Sequence, residues 1–188
     1  MYLLTIIIPY AYQAFTPEET EYIADFNFYP ADYNENIFED EEYAALIVNG
    51  IVEYDNGVNS IEGITKENAA EQGEPVGVLT DMLYSVINGN SEEYNSYFSE
   101  EYFKTHEPQG SFTMQKIYNA RITFFSSETI QGDDSSYTKY IYKVNYYIYK
   151  NNGTFRKDIG EGYRTQYIVI TDRDGKLLID NILYNKVK

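Results

Sequence analysis

The periodicity of apolar positions changes once after Pro75. Val78, Met82, Leu83, Tyr84, Val86 and Ile87 fall on one broad face at three- and four-residue spacing. That spacing predicts an amphipathic helix, stopped by Gly89. Ser91-Glu92-Glu93 opens a second helix, whose apolar stripe is Tyr94, Tyr97 and Phe98. Ser99-Glu100-Glu101 repeats the same start signal, and Pro108-Gln109-Gly110 ends the helical part. From there the period is two, over runs 117–129, 136–150, 160–171 and 176–184. In the second run Tyr140, Tyr142, Val144, Tyr146 and Ile148 alternate with Lys139, Lys143 and Asn145, as in a half-buried strand. Tyr163, Tyr167 and Val169 are expected to share one side of the third run. Turns are predicted at 132–135, at Asn152-Gly153 and at 172–175. Strands this long twist strongly, so the expected architecture is α+β, with the helices packed in the concavity of a strongly curved antiparallel sheet.

The first 74 residues are less regular. Met1 to Pro9 contain the apolar run Leu3-Leu4-Thr5-Ile6-Ile7-Ile8, far short of the roughly 20 residues a membrane helix needs. Three readings stay open for it: a buried strand, the stub of a trimmed membrane helix, or a strand donated to a neighbouring molecule. Thr16-Pro17-Glu18-Glu19 reads as a helix start, with Thr16 as N-cap. Glu39 to Glu42 is a charge run at a solvated helix N-terminus, after which Tyr43 to Val48 can continue a helix. Ile51 to Tyr54 reads as strand, Asp55-Asn56-Gly57 as turn, and 66–74 as a linker or frayed helix.

Charge divides the chain in the same place. Residues 1–74 hold 16 Asp and Glu against Lys66 alone, whereas 75–188 hold 14 acidic and 13 basic residues. The expected organisation is an acidic N-terminal extension, 1–74, and an α+β domain, 75–188. Phosphate backbones and anionic lipid surfaces are repelled by the first part, which disfavours nucleic acid and favours a basic protein partner. The chain has no cysteine, 22 Tyr and 10 Phe, so thiol chemistry is excluded. Tyrosine suits both broad sheets and interaction surfaces.

The order helix, helix, four long strands, closed by Asp174-Gly175-Lys176-Leu177-Leu178-Ile179-Asp180-Asn181-Ile182, resembles the NTF2-like superfamily of α+β cones. The resemblance covers about 110 residues, Pro75 to Tyr184. It implies a sheet wrapped around helices and several possible roles. Some members are ketosteroid-isomerase-like or polyketide-cyclase-like enzymes that use a Tyr and carboxylates inside the cone. Others are transport or scaffold proteins. A third group are extracytoplasmic domains of bacterial conjugation and secretion machines.

Chemistry-bearing residues are sparse. His106, the single histidine, sits at a helix exit, where imidazole commonly meets the helix C-terminus. One His and no Cys argue against zinc, and Asp172, Asp174 and Gly175 lack the glutamate that a calcium loop requires. No metal or cofactor is expected. For an isomerase, Tyr140, Tyr142, Tyr146, Tyr163 and Tyr167 would supply phenols, but the carboxylates Asp158, Glu161 and Asp180 lie toward strand ends. For a contact surface, Tyr140, Tyr142, Tyr147 and Tyr149 would form an exposed aromatic face. The leading expectation is a non-enzymatic binding or assembly module with a protein partner or its own copies. Its expected setting is extracytoplasmic, on a low-GC Gram-positive bacterium, with membrane association through an N-terminal segment. The alternative is a small-molecule binder or isomerase-like enzyme that uses the cone interior.

Overall fold

The structure, a computed structural model, describes residues 27–131, 136–160, 162, 164–173 and 175–184. The expected run at Met1 to Pro9, the helix start at Thr16, the turn at 132–135 and Tyr163 lie outside them. The α+β class is present, built on one six-stranded sheet and a few helices.

A short 3-10 turn, Ile37–Glu39, leads into α1, Glu41–Leu46. Asp40 caps α1: its carboxylate accepts from the backbone N–H of Glu42 and Tyr43, which satisfies donors the first turn leaves free. β1, Val52–Asp55, and β2, Ser60–Ile64, form a hairpin through the expected turn, where Asp55 accepts from the Gly57 N–H. A second 3-10 turn, Ala69–Gln72, precedes α2, Glu74–Ile87. Of the face that the spacing predicts, α2 buries Met82, Leu83, Val86 and Ile87, leaves Val78 and Tyr84 half-buried at its margin, and adds Val76 and Leu79 to the core. Gly89 ends it with φ +67°, and a Cβ there would lie 2.8 Å from the Met114 backbone nitrogen. α3, Ser91–Ser96, and α4, Glu100–Phe103, follow, capped by Asn90 and Ser99.

β3, Ile117–Gln131, β4, Ser136–Ile148, β5, Gln166–Arg173, and β6, Lys176–Leu183, complete the sheet in the order β2-β1-β3-β4-β5-β6. β3 to β6 pair antiparallel in sequence order, but β1 joins β3 in parallel, with Val52 opposite Ala120. The sheet is therefore mixed, which corrects the expectation of a purely antiparallel one. The parallel pair is possible because α2 to α4 intervene and supply the long crossover that parallel neighbours require.

One face of the sheet packs on α2. Val52, Tyr54, Ile122, Tyr142, Val144, Tyr146, Ile168, Ile170 and Ile179 meet its apolar stripe there. Ile37 and Tyr43 are completely buried in the same cluster. Sheet and core thus run continuously across the position near residue 75 where composition changes. The other face carries a small cluster of Ile141, Tyr167 and Val169.

Two further corrections concern the β4–β5 connection. The third strand begins at Gln166 rather than at residue 160, and Asn152-Gly153 is not a tight hairpin turn between strands. After Ile148 the described residues 149–160 run as a connection outside the strands, held by the Asn151 side chain, which donates to the carbonyls of Arg156 and Ile159. Gly153 has φ +71°, and a Cβ there would meet the Phe28 ring at 2.9 Å.

Candidate functional site

Between α2 and the sheet lies a cavity of about 320 Å³, at the lower end of the size range for ligand pockets. Met82, Leu83 and Val86 come from α2, Tyr94 from α3, Tyr146 from β4, and Phe155 and Arg156 from the β4–β5 connection. Each element has its own reason to be there. Alternation along β4 sends Tyr146 inward, and α2 exposes three apolar positions of its buried stripe. The connection is fixed because Thr154 takes part in a hydrogen-bond network with Thr113 and Gln115, at 3.1 to 3.2 Å.

Much of the space near α3 and α4 is already filled by rings. Tyr94 packs on Phe98 at 4.9 Å, on Phe112 at 6.1 Å and on Phe155 at 5.3 Å, the last two edge-on. Phe98 continues the cluster to Tyr102 at 4.4 Å.

The polar lining is Gln109, Lys157, Gln166 and the ion pair of Arg156 with Asp158. The guanidinium donates through Nε and Nη2 to the two carboxylate oxygens at 2.9 and 2.6 Å, a fork that matches carboxylate geometry. Arg156 also lies over the Tyr146 ring at 5.9 Å and over the Tyr184 ring at 5.5 Å. Burial works against ionisation of both partners. The pair overcomes it: the Arg156 side chain, next to Tyr146 and Asp158, is held cationic, and Arg156 holds the Asp158 carboxyl below its ordinary range. Burial pushes the phenols of Tyr94 and Tyr146 up, so both stay neutral hydrogen-bonding groups.

An acid–base enzyme of the isomerase kind needs a carboxylate whose proton affinity is raised in the cavity. Among the described carboxylates with a shifted pKa, only Asp81 is raised, by burial. It stands on α2 outside the cavity lining, in the field of Lys66 and Glu93. His106 is exposed at the end of α4, stacked on Tyr102 with ring centres 4.2 Å apart. Among the described residues no group of three His, Cys, Asp or Glu is placed to hold a metal ion.

Six of the seven tyrosines singled out from the sequence lie among the described residues, and they are not brought together. Tyr142 and Tyr146 are buried on the α2 face, and Tyr140 is half-buried at its margin. Tyr142 therefore cannot belong to an exposed aromatic patch: its alternation phase is that of Val144, and Phe124 closes over it edge-on at 5.5 Å. Tyr147 has the opposite phase and stacks on Tyr118 at 5.0 Å. Tyr149, just past the strand, donates to Glu42 at 2.6 Å. Tyr167 is buried on the far face, edge-on to Phe125 at 5.3 Å. Arg156 is not among the residues that the sequence points to. The signal for it was its spacing of two from Asp158 inside a segment rich in turn formers, which is common on any surface.

A comparison with models of known protein families finds no match, and no curated protein matches the chain.

Proposed function

We propose that this protein is a non-enzymatic binding and assembly module on an NTF2-like core, working with a protein partner or with copies of itself. The observation that carries the reading is the state of the cavity. Arg156 and Asp158 neutralise one another, burial pushes the phenols of Tyr94 and Tyr146 up, and the one carboxylate in the lining, Asp158, is lowered rather than raised toward a working base. The order of α2 to α4 and β3 to β6, with the closing strand from Lys176, supports the NTF2-like part of the reading. Exposed rings at Phe28, Tyr29, Tyr33 and Phe38 supply apolar contact area on the acidic side of the molecule. An extracytoplasmic, membrane-associated assembly of a Gram-positive bacterium is the setting that fits the composition.

The test is native mass spectrometry of the chain isolated from its own cells. A stoichiometric protein partner or a homo-oligomer is the expected result. A monomer that carries a small molecule would overturn the reading. It would favour the second one, a small-molecule binder with Arg156 and Tyr146 at the cavity wall, for which the unfilled 320 Å³ is the supporting observation.

A further inference from the structure

The sheet face opposite α2 carries a groove of about 630 Å³ that crosses β1, β3 and β4. Its polar lining includes Glu53 and Asp55 of β1, Arg121 of β3, and Lys143, Asn145 and Tyr147 of β4. Cross-strand register explains the grouping, since Glu53 stands beside Arg121, which pairs with Asn145, and Thr123 pairs with Lys143.

Two of these groups are left with unmet bonding capacity. Asn145 is only 6% exposed, and its Oδ1 accepts no hydrogen bond. A buried amide oxygen in that state is destabilising, and such atoms are rare in folded proteins. Two residues from it, Lys143 is half-buried and takes part in no ion pair among the described residues. By contrast, Arg121 is engaged: it donates through Nε and Nη2 to the two Glu53 oxygens, both at 3.0 Å.

The donor and acceptor set narrows the ligand. An anion would face Asp55 and Glu62 across the groove, and a cation would face Lys143 and Arg121. A neutral molecule rich in hydroxyl groups meets both signs, because each hydroxyl donates to a carboxylate or carboxamide oxygen and accepts from an ammonium or amide N–H. Tyr147, stacked on Tyr118 and lining the groove, adds an apolar ring against which the C–H face of a sugar can pack. We propose that this groove binds a neutral saccharide, with Asn145 and Lys143 as its central hydrogen-bonding residues. The proposal is independent of the assembly reading, since it rests on groove residues other than the exposed rings at Phe28, Tyr29, Tyr33 and Phe38.

Saturation-transfer NMR on the full chain tests it, with maltotriose, cellotriose and tri-N-acetylchitotriose as neutral probes and glucuronate and glucosamine as charged comparators. At least one neutral trisaccharide should receive magnetisation, and both comparators should receive less. Lys143→Ala and Asn145→Ala should each weaken that binding about tenfold or more. Asn145→Ala should leave the melting temperature unchanged or raise it, because its Oδ1 makes no hydrogen bond to lose. Silence from all three trisaccharides, stronger transfer to a charged comparator, or unaltered affinity in both variants would each overturn the proposal.

Discussion

The hydroxyl of Tyr43 donates to the backbone carbonyl of Ile117 at 2.8 Å, across 74 positions of sequence. This bond joins the acidic first part of the chain to the start of the longest strand, inside the core. Tyr43 is fully buried, and burial pushes its phenol up, so it stays a donor throughout the accessible pH range. Tyr43→Phe keeps the ring but strands the Ile117 carbonyl. It should lower the unfolding free energy by about 1–2 kcal/mol in a denaturant titration, whereas Tyr43→Ala should cost about 3–5 kcal/mol through the cavity it leaves.

The same geometry predicts the fate of a fragment that starts at Pro75. It would lose Ile37, Tyr43, Val52, Tyr54 and Ile64 from the core and would expose the β3 edge that β1 now covers. Such a fragment should give collapsed, poorly dispersed amide resonances, and the addition of residues 27–74 should restore dispersion. A well-dispersed spectrum from the fragment alone would show that the first part is an appendage.

Acid should loosen the α1 corner in a defined window. A hydrogen bond from Lys116 at 2.8 Å, aided by the backbone N–H of Tyr43, lowers the Asp40 carboxyl to about 2. Lys116 is raised despite its burial, through its bonds to Asp40 and Glu35. Because the folded value of Asp40 lies below the unfolded one, its contribution is full above about pH 4 and disappears as pH falls toward 2. Asp40→Asn retains a side-chain cap for α1 but not the charge. Its stability deficit relative to the parent should therefore be constant from pH 7 to 5 and shrink steadily between pH 4 and 2.

Arg156 is 10% exposed and Asp158 38%, so the two are not equally sheltered. Asp158→Asn leaves a buried guanidinium without its counter-charge. The cost should be about 1–2 kcal/mol, less than for a fully buried pair because water reaches the Asp158 side. Arg156→Met in the same background should recover part of the loss. A melting series across the single and double variants reads this directly.

The elements most visible in the sequence were those whose signal is local. α2 announced itself through the spacing from Val78 to Ile87, and β4 through strict alternation from Tyr140 to Ile148. β2 has no local signal, because Ser60–Ile64 is short and carries a glycine at position 63 where a strand residue would be expected. The parallel pairing of β1 with β3 was equally hidden, since no local pattern encodes which distant strand a short apolar segment joins. Tyr142 fits two expectations from sequence, a phenol inside the cone and a ring on an exposed contact face; the packing of Phe124 and the α2 face takes the whole ring inside. The cavity's Arg156–Asp158 pair became meaningful only once the β4–β5 connection folded back over Tyr146.

The two borders of the sheet differ in a way that limits how copies of the chain can join. Midway along β6, the Ile179 N–H donates to the Tyr97 carbonyl and the Ser99 N–H donates to the Ile179 carbonyl, so residues 97–99 occupy that border. Among the described residues, the outer border of β2 has no such strip. Among the described residues, strand addition is obstructed midway along β6 and meets no paired backbone along the outer border of β2, where only the Gly63 and Ile64 carbonyls accept side-chain bonds, from Asn68 and Tyr84. Two chains meeting through β2 would form a closed, symmetric pair of twelve strands whose outer margins are both guarded, with no template for a third.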